Sequence, residues 1–126
     1  MSYYFAKSLT GEFDAVVSRA REALQREGFG VITEIDLRQT LKAKIGEDIP
    51  PYLILGACNP RMAHEALKLE NKVGTMLPCN VVVQEIAPGC IEVAAIDPVA
   101  SMQAIENPEL LEVARLVSQK LQAAVA

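Results

Sequence analysis

The chain predicts an α+β fold in which a sheet and a layer of helices form a two-layer sandwich. Three observations carry this. Apolar residues switch between strand-like runs and helical spacing in the order strand, helix, strand, short helix, strand, helix, hairpin, helix. The two late strand-like runs are separated only by Ala87-Pro88-Gly89, an antiparallel hairpin that argues against a purely parallel sheet. The last helix carries Leu110, Val113, Ala114, Val117 and Leu121 on one broad face, wide enough to cover a sheet.

Each element follows from its residues. Tyr3 to Ser8 is short and partly aromatic and reads as a first strand, with Thr10 as the cap of the helix behind it. Phe13, Val16, Val17, Ala20 and Leu24 then recur at helical spacing, and Gly28 supplies the left-handed backbone that closes this helix. Phe29 to Ile35 holds Val31, Ile32, Thr33 and Ile35, whose β-branched side chains favour a second strand. Asp36 stands three residues before Gln39 in a capping-box-like arrangement, and Leu37, Leu41 and Ile45 recur every four residues until Gly46, which predicts a short helix. Pro50 and Pro51 force a loop. Tyr52 to Ala57 is apolar throughout, which predicts a third strand inside the sheet and buried on both faces.

Asn59-Pro60 combines an N-cap with a proline at the first helical position, and the helix it opens points Met62, Ala63, Ala66 and Leu67 inward until about Asn71. Lys72 to Cys79, with Gly74 and Pro78, reads as irregular. Val81 to Ile86 and Cys90 to Ile96 are the two arms of the hairpin, and Asp97-Pro98 and Asn107-Pro108 repeat the cap-then-proline start. No repeat, linker or low-complexity segment interrupts the chain, so residues 1–126 are read as a single domain.

Composition narrows the function classes. With 126 residues, 51% of them hydrophobic, the chain buries roughly two-thirds of its unfolded surface and needs no disulfide or metal to hold together. Twelve basic against sixteen acidic residues, a net charge of −4 and no basic run argue against nucleic acid as a partner. The longest apolar stretch, Tyr52 to Cys58, is far short of the roughly 20 residues that cross a bilayer, and the first residues lack the pattern of a signal peptide. Three cysteines without metal-type pair spacing fit reduced thiols, so the expected location is the cytoplasm and no membrane partner is expected.

Several segments carry a family resemblance. Glu27-Gly28-Phe29-Gly30-Val31, Glu34-Ile35-Asp36-Leu37, Tyr52 through Pro60, Leu77-Pro78-Cys79-Asn80-Val81 and Asp97-Pro98, in this order, resemble the small bacterial and archaeal family known as domain of unknown function 302. The resemblance spans nearly the whole chain. It implies a curved, mainly antiparallel sheet backed by helices, similar to half of the TATA-binding protein, with no established activity. The charge of −4 separates that topology from a DNA-binding role.

No residue pattern names a reaction, but one region concentrates chemistry: Cys58, Asn59, Pro60, His64, Pro78, Cys79 and Asn80. Cys58 ends a strand directly before a helix start, where free amides lower a thiol's pKa; otherwise it is a small apolar residue filling the junction. Pro78 fixes a turn that aims Cys79 at the same junction, as a second thiol or as packing. His64, the only histidine, stands in the helix after Cys58 as a base for the thiol or as a solvated neighbour of Glu65 and Lys68. Cys58, Cys79 and His64 are chemically suited to zinc but lack the close pairs of zinc sites, so no metal is expected. Glu34, Asp36, Glu85, Glu92 and Asp97 read as caps or as a solvated sheet face, and Gly28-x-Gly30 precedes a strand rather than a helix, so no phosphate cradle and no cofactor are expected. The functional expectation is a small-ligand binding or interaction module, homodimeric, with its site near Cys58 and Cys79. The alternative is a thiol-dependent enzyme or redox sensor centred on Cys58.

Overall fold

The computed structural model of the protein describes residues 2–126. Its elements are β1 (Tyr4–Thr10), α1 (Phe13–Arg26), β2 (Gly30–Asp36), α2 (Leu37–Ile45), β3 (Tyr52–Cys58), α3 (Pro60–Leu69), β4 (Cys79–Ala87), β5 (Cys90–Ile96), α4 (Pro98–Ser101) and α5 (Pro108–Val125), with a 3-10 turn at Val73–Met76. The strands form one curved sheet in the order β1-β5-β4-β3-β2, and all four neighbouring pairs are antiparallel. This is the α+β two-layer architecture that the sequence predicts.

One sheet face makes the core. Leu53, Leu55 and Ala57 of β3, Val81 and Val83 of β4, and Ile91, Val93 and Ala95 of β5 pack against Val16, Ala20 and Leu24 of α1 and Leu121 and Val125 of α5. Completely buried side chains such as Leu24, Leu55, Ile91 and Leu121 each contribute roughly 1.5–3 kcal/mol of apolar transfer. A second cluster, Ala66, Val73, Met102, Leu110 and Ala114, joins α3 and the segment after α4 to the first half of α5.

The helix starts use the chemistry read from their residues. Asn59 accepts from the Met62 N–H, Asp97 from Val99, and Asn107 from both Glu109 and Leu110, each followed by a proline that has no N–H to lose. Asp36 accepts from the Gln39 N–H, and Gly46 closes α2 in the left-handed region. The first helix differs from expectation. Thr10 is not its cap, because β1 continues to Thr10 opposite Cys90 and the chain turns at Gly11 (φ 147°), leaving Glu12 at the cap position without a side-chain hydrogen bond.

Three further expectations are corrected. β3 is buried along one face, where Leu53, Leu55 and Ala57 meet the helix layer; on the other face Gly56 is buried but Tyr52, Ile54 and Cys58 are half-buried, since the core helices α1 and α5 pack on the first. Leu67 is 44% exposed, because α3 meets the body of the protein along a narrow strip centred on Ala66. Glu34 is exposed to solvent as expected, but not on the open face of the sheet. A bulge between Val31 and Thr33 adds one residue to β2, so that Glu34 opposes Leu55 on the helix side and pairs with Arg21 of α1 at 2.9 Å. The same bulge turns Ile35 to the open face opposite Ile54.

Candidate functional site

The antiparallel register of β3 and β4 pairs Ala57 with Cys79, which brings the last residue of β3, Cys58, and the first of β4, Cys79, to one end of the sheet. That end opens into a cavity of about 290 Å³. Phe29, Ala57, Cys58 and Cys79 line it from the sheet side, Met62, Ala63 and Ala66 from α3, and Leu110, Val113, Ala114 and Val117 from α5. Leu77, Pro78, Pro98 and Met102 complete the wall, and Ile32 stands at the bulge of β2. The Leu77–Pro78 peptide is cis.

No charged side chain lines this space, and its single amide is Asn59. The Asn59 oxygen is occupied, accepting from the Met62 N–H at 3.3 Å. Its amide nitrogen rests against Gly28, where a Cβ would stand 3.1 Å away, and Gly28 has φ 88°. Glycine there serves two purposes, the left-handed turn after α1 and room for the cap of α3. Burial pushes the Cys79 thiol up to about 11 from its ordinary 9.0, with the nearby Cys58 adding to the rise, so at neutral pH Cys79 is a protonated, apolar wall residue.

Of the residues singled out from sequence, Cys58, Asn59, Pro78 and Cys79 line the cavity together. Pro60, His64 and Asn80 do not. Pro60 and His64 lie exposed on α3, where Glu65 beside His64 pairs with Lys68 at 2.8 Å, an exposed contact that lowers the Glu65 pKa. Asn80 is exposed opposite Gly56. Among the described residues no group of three or more His, Cys, Asp or Glu side chains gathers in metal-binding proximity. The chemistry that this space offers is desolvation and shape.

Sequence reasoning missed Met62, Met102, Leu110 and Val113 as site residues and read the apolar positions of α3 and α5 as core. The available signal was the methionines, whose flexible side chains suit adaptable apolar surfaces. Nothing in the periodicity distinguishes a residue facing packed atoms from one facing a void.

Fold and cavity together define a small α+β protein with one helix-covered sheet face and an apolar pocket where β3 and β4 meet α3 and α5. The chain belongs to the family described as Domain of unknown function DUF302, which matches residues 5–126. The crystal structure of an uncharacterized conserved DUF302 protein from Bacillus stearothermophilus is similar, with a TM-score of 0.91 and 26% sequence identity over 99% of this chain and 97% of that one. No protein of curated function matches the sequence. No helix among the described residues is long and apolar enough to cross a membrane.

Proposed function

We propose that the protein is a binding module that takes a small, uncharged, apolar molecule in the cavity beside Cys58 and Cys79. The observation that carries this reading is the lining: seventeen residues, none charged, with the single amide oxygen already engaged in capping α3. Transfer of apolar surface out of water supplies the affinity of such a site, and a charged ligand would meet an uncompensated desolvation cost. The volume of about 290 Å³ lies at the small end of the roughly 300–1,000 Å³ typical of ligand sites, which favours a compact ligand. Cys79 acts here as wall rather than nucleophile, since burial keeps it protonated. Three free thiols fit a reducing, cytoplasmic setting.

The test uses an uncharged fluorescent dye, Nile red, together with alkylation of Cys58. Saturable, blue-shifted emission at one site per chain is expected, with slower iodoacetamide labelling of Cys58 when the dye is bound. Met62→Trp, which fills the cavity from α3, should abolish both effects while leaving the far-UV spectrum unchanged. Dye binding that neither protects Cys58 nor responds to Met62→Trp places the apolar site elsewhere and overturns the reading.

A further inference from the structure

Strand alternation along β1 turns Phe5, Lys7 and Leu9 to the helix side of the sheet, where Phe5 and Leu9 pack against the core. Lys7 stands between them, opposite Val93, and borders a hollow of about 210 Å³ between α1 and the last turn of α5. Arg19 and Arg26 stand on the α1 wall of this hollow, seven residues and therefore ~10 Å apart along the helix, with the small Ala23 between them. All three cations are open to solvent, and among the described residues none of them takes part in an ion pair, whereas Arg21, Lys42, Lys68 and Arg115 each do. No acidic side chain lines the hollow. The hollows beside Arg38 and beside Lys72, by contrast, each hold at least two carboxylates.

We infer that this hollow is an oxyanion site that takes the phosphoryl group of a small phosphate monoester. Three positive side chains meet around one concave space in a chain whose net charge is −4, and a cleft lined by one sign of charge focuses the field and draws in the opposite sign. The end of α5 offsets only part of that charge. Its unpaired carbonyls amount to about −0.5, and the Ala126 carboxylate adds one charge more, which leaves the hollow positive. A phosphate monoester, with a charge of about −1.5 to −2 near neutral pH and three acceptor oxygens, matches the remainder. Each arginine offers a planar fork that donates to two oxygens at once, and the lysine a compact charge. The rest of the lining, Leu9, Ala20, Ala23 and Val93, is small and apolar, suited to a short organic group on the phosphate. Because the cluster draws on residues 7, 19 and 26, no basic run in the sequence marks it. It shares no residue with the apolar cavity, so this inference goes beyond the cavity reading and does not depend on it.

Calorimetric titration at constant ionic strength tests it, with inorganic phosphate and phenyl phosphate as probes. Both should bind saturably at one site per chain and compete, phenyl phosphate the more tightly. Lys7→Gln, and Arg19→Gln combined with Arg26→Gln, should each weaken binding by at least ~10-fold, with far-UV spectra confirming folded chains. Arg61→Gln removes an exposed positive charge from α3, outside the hollow, and should change the affinity by less than ~2-fold. Nile red binding in the cavity should be unchanged in all of these variants, which separates this inference from the ligand reading. A second measurement uses the unaltered protein: inorganic phosphate should slow phenylglyoxal modification of Arg19 and Arg26 but not of Arg61, as assigned by peptide mapping. Absence of saturable binding, an equal loss in Arg61→Gln, or no protection of Arg19 and Arg26 overturns the inference. So does a site that takes inorganic phosphate and excludes phenyl phosphate, or variants that melt earlier yet bind phosphate as before, which would make the three cations partners of the α5 end alone.

Discussion

Gly56, on the open face of β3, has a neighbourhood that leaves no space for a side chain. A Cβ there would stand 2.0 Å from the Thr33 hydroxyl and 2.7 Å from Cγ of Pro78, and while threonine can change rotamer, the proline ring cannot move aside without shifting the Leu77–Pro78 segment. Gly56→Ala should therefore destabilise the protein by about 1–3 kcal/mol in urea denaturation, the range of an overpacked core. Cys79 carries a pH prediction. Its thiol holds the proton to about 11 in the folded protein against an ordinary 9.0, so between these values the unfolded chain has released the proton while the folded one has not. Stability present below pH 9 is then lost progressively as pH rises toward 11, on the order of 2–3 kcal/mol in all. Melting curves of wild type and Cys79→Ala across pH 8 to 10.5 check this, since the variant should lack that part of the alkaline decline. The three thiols should also differ in reactivity. Cys58 is partly exposed and Cys79 buried, so iodoacetamide should label Cys58 well ahead of Cys79, and peptide mapping assigns the sites. Complete protection of Cys58 until unfolding would make it packing alone.

The elements owe their ends to a few hydrogen bonds. Asn107 does the most, because its oxygen accepts from Glu109 and Leu110 while its amide donates to the Leu69 carbonyl, tying the start of α5 to the end of α3. Asn107→Ala should cost about 2 kcal/mol, and Asn59→Ala about 1 kcal/mol, measured by denaturant titration. Asp97 stands between them, capping α4 and also accepting from the Ser118 hydroxyl of α5. Thr10→Ala should change stability by less than about 0.5 kcal/mol, since Thr10 ends a strand and caps nothing. These starts were legible because a cap is local: asparagine or aspartate followed by proline specifies both the acceptor and the backbone within two residues. The end of β1 and the bulge of β2 were not legible, because both are set by a partner strand distant in sequence. Leu67 was misplaced for a related reason, since helical spacing defines a stripe but not how much of it a neighbour covers.

At the scale of the molecule, the parts come together around α5, which covers the sheet with Leu121 and Val125 and closes the cavity with Leu110, Val113 and Ala114. The apolar space that remains is the cavity, at the end of the sheet where β3 and β4 meet α3 and α5, and it carries the functional reading. Residues alone determined the α+β class, the order of the elements, four capped helix starts and the hairpin, since each depends on periodicity or on side-chain chemistry acting within a few residues. They also marked Cys58, Asn59, Pro60, His64, Pro78, Cys79 and Asn80 as a group, of which Cys58, Asn59, Pro78 and Cys79 line the cavity. Tertiary structure alone decided that the helices cover one face of β3, that Glu34 lies on the helix side beside Arg21, that His64 stays outside the cavity that Cys58 and Cys79 line, and that the apolar stripes of α3 and α5 meet at Ala66, Leu110 and Ala114 yet leave a void beside them. The physical reason is the same in each case: a hydrophobic pattern encodes which side chains leave water, whereas the partner that they meet, or the void that they leave, depends on pairing and packing between segments far apart in the chain.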